Sequence, residues 1–181
     1  MKLRNVLPAM ALLAAAAAAM AADLGQLESL PNARFPEENR IVSGALTPQD
    51  VRRLADAGVR HVVDLQPSQE HTFDEEQLLH AKGVQYHPIP ISGAAALTRE
   101  NAAKLDAVLE KIGPEPALLH CSSGNRVGAL IAVRAAWIQG ASPDQAIEEG
   151  ERWGLKALKP AVRALLLPEA SAETSPETQK H

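Results

Sequence analysis

The chain has 181 residues with a formal charge of -4, enough for one domain with a sizeable core and too acidic for a nucleic-acid binder. Aromatics are only 3%, so the core must be built from Ala, Val, Leu and Ile, and mixed surface charge excludes a general electrostatic funnel for anions. A single cysteine excludes an intrachain disulfide framework.

Residues 1–22 read as a secretory signal peptide. Lys2 and Arg4 make a basic start, Val6 to Ala22 is an Ala-rich apolar run, and Ala19-Met20-Ala21 fits the small-x-small cleavage rule. Cleavage removes two positive charges, taking the formal charge from -4 to -6. The expected location is outside the cytoplasm, in a bacterial periplasm, with no stable membrane insertion after cleavage. The rival, an uncleaved anchor, needs a span of about 20 strongly apolar residues, and alanine is weakly apolar. Export leads to an oxidising compartment, where a free thiol is either buried or functional.

Residues 23–38 carry Gly, Pro, Asn and charges without period and read as an irregular lead-in to a domain over 39–167. Arg40 to Gly44 reads as a short edge strand. Thr47-Pro48 is an N-cap followed by Pro at N1, and Gly58 ends that helix. His61 to Leu65 is a buried strand, Gln66 to Thr72 a loop, and Phe73 to Lys82 a helix. Gln85 to Ile89 is a strand bounded by prolines. Thr98 caps a helix with one apolar stripe through Ala102, Leu105, Val108, Leu109 and Ile112. Ala117 to His120 is a strand, and Val127 to Gln139 a helix apolar nearly all round. Ser142-Pro143 repeats the N-cap and N1 pattern. Leu155 to Leu167 is helical with an interruption at Pro160. Residues 168–181, rich in Pro, Glu, Ser and Thr, read as a disordered tail. Alternating strands and helices predict an α/β fold of three layers, a mostly parallel central sheet with helices on both faces. In such sheets ligands bind beyond the carboxyl ends of the strands.

The chemistry concentrates at one of those ends. In His120-Cys121-Ser122-Ser123-Gly124-Asn125-Arg126-Val127, the only cysteine sits on a turn between a buried strand and the first turn of a helix. Backbone N–H groups of such a loop and the helix N-terminus attract an oxyanion. Gly124 allows close backbone approach, Asn125 tolerates left-handed angles, and Arg126 offers a two-pronged guanidinium. The same field favours the thiolate of Cys121, a nucleophile. Against this stands the commoner role of a lone cysteine as a small buried hydrophobe.

His120-Cys121-x-x-Gly124-x-Arg126 resembles the phosphate-binding loop of the protein tyrosine and dual-specificity phosphatases. It is most similar to the bacterial β-lactamase-hydrolase-like phosphatase domains. The similarity runs from Asn39 to Ala164 and takes in Ser43-Gly44-Ala45-Leu46-Thr47-Pro48, Gly58 to Leu65 and Tyr86-His87-Pro88-Ile89-Pro90. The resemblance implies a phosphatase-like fold and phosphoester hydrolysis. Cys121 would be the nucleophile and Arg126 the oxyanion clamp, and Ser122, Ser123, Gly124, Asn125 and Val127 would line the substrate. His120 and Asp64 are expected to support the loop.

Three departures qualify it. Four residues separate cysteine and arginine where the phosphatases usually have five, a length shared with rhodanese sulfurtransferases, so a persulfide on Cys121 is an alternative. The family's general-acid aspartate belongs about thirty residues before the cysteine, yet Pro88 to Leu97 holds no carboxylate. Substitutes would come from Glu70, His71 or Asp74. Val127 stands where the family often has Ser or Thr. With both aids missing, a non-catalytic anion or phospho-partner receptor is a third reading. The six histidines show no tight metal spacing, so no metal or cofactor is expected. The expected partner is a phosphorylated or sulfur-containing anionic substrate, and nothing in the pattern signals an oligomeric state.

Overall fold

The computed structural model describes residues 22–167. The signal-peptide reading through Ala21 and the disordered-tail reading of 168–181 lie outside them. Five strands form one sheet in the order β1-β2-β5-β3-β4, with β1 Arg34–Glu37, β2 Arg40–Ser43, β3 His61–Asp64, β4 Gln85–Pro88 and β5 Ala117–His120. Every pairing is parallel except that of β1 with β2. Six helices surround it: α1 Pro48–Asp56, α2 Glu75–Ala81, α3 Arg99–Ile112, α4 Asn125–Trp137, α5 Pro143–Arg152 and α6 Lys159–Leu166. Among the described residues no helix is long and apolar enough to cross a membrane.

The period of two along each strand sorts the core into two layers. Ile41, Leu118 and Val62 stand in register and face α1 and α2, where they meet Val51, Leu54 and Leu79. Val42, Leu119 and Val63, one residue on, face the opposite way onto Leu105, Leu130 and Val133 of α3 and α4. Truncating any of these fully buried leucines to Ala costs about 2–5 kcal/mol. The next register layer is Ser43, His120 and Asp64, all three buried and polar. Polar side chains thus terminate the three central strands at their carboxyl ends.

The caps follow the local chemistry. Thr47 and Asp50 form a reciprocal capping box on α1, as do Ser142 and Gln145 on α5. Gly128 and Gly150 let α4 and α5 touch backbone to backbone. A Cβ on Gly128 would stand 2.5 Å from Gly150 O.

Several element boundaries differ from expectation. The lead-in read as irregular holds β1, which makes β1 the edge and places Arg40–Ser43 inside the sheet. Pro36 and the exposed Phe35 hide that strand in the sequence, and an edge tolerates a proline because one of its backbone rows is unpaired. Helix α2 starts at Glu75, because Asp74 is its N-cap and accepts from Gln77 N–H at 2.9 Å. Helix α4 starts two residues early, at Asn125. Helix α6 starts at Lys159, so Pro160 lies in its first turn, where no N–H is needed, and interrupts nothing.

Candidate active site

Cys121 follows β5 directly, fully buried, and its Sγ accepts from Gly124 N–H at 3.1 Å. Gly124 ends the loop and caps α4 with φ +82°. A Cβ there would also press within 3.2 Å of Val42 Cγ1, so the position needs glycine for both conformation and space. Left-handed angles therefore fall on Gly124 and not on Asn125. Asn125 is the first residue of α4, and its Oδ1 accepts from Lys156 N–H at 2.8 Å and Leu158 N–H at 3.3 Å. It ties the start of α4 to the approach of α6. Neighbouring strand ends hold the loop backbone: Leu65 N–H donates to His120 O at 2.9 Å and Ala45 N–H to Ser122 O at 3.3 Å. Ser122 and Ser123 are exposed, and Val127 is buried, its side chain in the core below the loop.

Arg126 leans over this loop. Its Nη1 donates to Ile91 O at 2.8 Å and to Glu70 Oε1 at 3.0 Å, and its Nη2 donates to Glu70 Oε2 at 2.5 Å. Ser122 Oγ donates to the same Glu70 Oε2 at 2.7 Å. Burial works against the Arg126 charge, but Glu70 and the neighbouring Cys121 sulfur outweigh it and hold the guanidinium above its ordinary value. The Arg126 hydrogen bonds, joined by that from Ser122, hold the Glu70 carboxyl down at about 2 against burial. The carboxylate is gripped by two donor groups of the loop, as two oxygens of a phosphate would be.

Of the three residues considered as proton donors, the structure brings one to the loop. Glu70 reaches Arg126 and Ser122. Asp74 is occupied as the cap of α2. His71 turns to the other side, with Nε2 2.8 Å from Asp64 Oδ2. The segment after β4 supplies a carbonyl, Ile91 O, where the family resemblance implied an acid.

Asp64 pairs with its own surroundings and not with Arg126. It accepts from Gln66 N–H at 2.7 Å and from Tyr86 O–H at 2.7 Å. The phenol of Tyr86 is correspondingly raised, by burial first and by Asp64 next. His120 lies with Nε2 2.8 Å from Glu75 Oε1 and 3.3 Å from Asp64 Oδ1. Glu75, Tyr86 and the Ile91 carbonyl were not anticipated. Glu75 looks in the sequence like any acid in a first helical turn, and a carbonyl leaves no mark in sequence at all.

Comparison with known proteins agrees with the geometry. No curated protein sequence matches the chain. Among solved structures, a DUF442 protein from Shewanella putrefaciens CN-32 superposes with a TM-score of 0.60 at 18% identity, covering 80% of this chain and 97% of its own. Tk-PTP in its active form gives 0.60 at 20% identity, covering 77% and 98%. A kinase associated phosphatase with its catalytic cysteine replaced by serine gives 0.54 at 17%, covering 71% and 84%. At such identities these likenesses establish the shared fold. The family model described as the Swiss Army Knife protein DSP-PTPase phosphatase domain matches residues 36–179, well over half of the chain. The chain therefore belongs to the DSP-PTPase phosphatase domains of the Swiss Army Knife proteins, a cysteine-dependent, phosphatase-like family.

Proposed function

We propose that this protein is an exported phosphatase that hydrolyses phosphomonoesters through a phosphocysteine on Cys121. One observation carries the reading: the Glu70 carboxylate held by both Arg126 nitrogens and by Ser122 beside the buried sulfur. Substrate phosphate would displace that carboxylate and take over the same donors. The sulfur, accepting from Gly124 N–H, attacks phosphorus, and the bond to the leaving oxygen breaks with its electron pair. Water then attacks the phosphocysteine, releasing phosphate and returning the thiolate. Arg126 and the loop stabilise the charge on the transferring oxygens in both steps.

Nothing in this arrangement holds a proton for the leaving group. Residues 88–97 carry no carboxylate, and Glu70 is ionised at any ordinary pH. A missing acid costs about 10²–10⁴-fold, least for leaving groups that are stable as anions. Activity should therefore be measurable on nitrophenyl phosphate and weak on phosphopeptides. Cys121→Ser should abolish it. The mature protein is assayed in parallel with the aryl phosphate and with thiosulfate plus cyanide. Turnover of thiosulfate alone would replace the phosphatase by a sulfurtransferase, the reading that the short loop supports. A second reading, an anion receptor, draws on the filled clamp. It predicts no turnover of either compound, but protection of Cys121 from alkylation by phosphate. Export rests on Lys2, Arg4, the apolar run and Ala19-Met20-Ala21. Mass spectrometry of the native protein should find a chain beginning at Ala22 or Asp23. An intact Met1 in the membrane fraction would refute cleavage.

A further inference from the structure

On the face of the sheet away from the Cys121 sulfur lies a second group of chemistry-bearing residues. Register places Asp64 at the end of β3 directly beside His120 at the end of β5. The first residue of α2, Glu75, reaches the same point. Each of the three is at least 97% buried. One ligand atom from each lies within 4.8 Å of the others. His120 Nε2 and Glu75 Oε1 are 2.8 Å apart, yet they are not aligned as a hydrogen bond. Both atoms, with His120 Nδ1, are buried without a hydrogen-bond partner. Glu75 Oε1 and the His120 imidazole thus converge beside Asp64 with their own hydrogen-bonding capacity unused, and buried polar atoms are rarely left so.

We propose that Asp64, Glu75 and His120 bind a divalent transition cation of zinc's size. Protein ligands sit about 2.0–2.2 Å from such an ion, which spaces them roughly 3 Å apart. The observed 2.8 and 3.3 Å separations require only small adjustments. A divalent charge also balances two buried carboxylates. The mixed nitrogen and oxygen set favours zinc-like ions over calcium or magnesium, which take oxygen ligands. Asp64 is already oriented by the Gln66 N–H and the Tyr86 O–H, the outer contacts that hold a metal carboxylate in place. His71 stands at the approach as an outer contact to Asp64, apart from the three convergent ligand atoms. Its Nε2 is also buried and unpartnered, beside Asp64 Oδ2. Its ring forms the wall of an open groove of about 580 Å³ with Glu75, Tyr86 and Pro88. Cys121 lies on the opposite side of the strand, packed with the α3–α4 layer and with its Sγ held by Gly124 N–H in the loop, so it is not a ligand. A bound ion would instead clamp the end of β5 from which the cysteine loop springs.

The test uses the full mature chain as Cys121→Ser, stripped with chelator, so that no thiol competes and the outcome does not depend on phosphatase activity. Zn²⁺ titrated by calorimetry should bind one equivalent per chain and raise Tm by about 5 °C or more at a hundredfold excess over Kd. Co²⁺ should develop a saturable visible absorption band. Glu75→Gln and His120→Asn should abolish both signals, and His71→Asn should weaken affinity about tenfold. His87→Asn, in a different cluster, should leave them unchanged. If His120→Asn does not fold, Glu75→Gln decides. Absence of saturable uptake, uptake undiminished in Glu75→Gln, or an equal shift with Mg²⁺ would each overturn the proposal.

Discussion

The Glu70 carboxylate competes with substrate, and Glu70→Gln measures by how much. The amide keeps the size of the side chain and can still accept from Ser122, but it loses the charge that pairs with Arg126. The pair is bidentate, with Glu70 one-third exposed and Arg126 mostly covered. Water and salt screen a pair this open, so it contributes less than its bidentate geometry alone would give. A bidentate exposed pair is worth about 1 kcal/mol. Removing that competition should tighten phosphate binding about fivefold. The assay is protection of Cys121 from iodoacetamide by inorganic phosphate. The half-protecting concentration should fall about fivefold in Glu70→Gln, and KM for an aryl phosphate should fall in parallel. The sign of the pH dependence is fixed by the lowered value: the Glu70–Arg126 contact is fully present above the ordinary carboxylate range and is lost only as pH falls through about 2. Sulfate protection, which uses an anion of constant charge, should accordingly show no contribution from Glu70 between pH 5 and 8. Unchanged or weaker phosphate binding in Glu70→Gln would refute competition. A fall in kcat confined to phosphopeptides would instead make Glu70 the proton donor.

Two further outcomes test the scaffold. Gly128→Ala should destabilise the protein by at least about 1–3 kcal/mol, measured by urea unfolding, because the new methyl would overlap Gly150 O and the Leu155 backbone where α4 and α5 meet; near-neutrality would mean that this helix contact gives way easily. At the other end of the sheet, His87 Nε2 lies 3.1 Å from His61 Nδ1, and His87 titrates below its ordinary value through burial first, then the charges of His61 and Lys111. The unfolded chain therefore binds the proton more readily, so this contribution to stability is present above about pH 6.5 and is lost as pH falls through the lowered value. Tm should drop between pH 7.5 and 5.5, and His87→Gln should flatten that drop; an identical profile in the variant would remove His87 as its source.

Local sequence sets the alternation of strands and helices, because burial on both faces leaves β-branched and aliphatic runs such as His61–Leu65, and because Thr47-Pro48, Thr98 and Ser142-Pro143 start helices by local chemistry. It also determined the cysteine loop, since Cys121, Gly124 and Arg126 act within six residues of one another. The edge strand β1 was beyond it: a four-residue strand with a central proline has no local signature, and only pairing with β2 makes it one. So was the choice among Glu70, His71 and Asp74. These lie within five residues on one segment, and the path of the turn after β3 sends Glu70 to Arg126, His71 to Asp64 and Asp74 to the α2 cap. The convergence of Asp64, Glu75 and His120 needs the β3–β5 register and the placement of α2 together. No spacing within a single segment encodes it, because its members come from three elements that meet only when the sheet is formed.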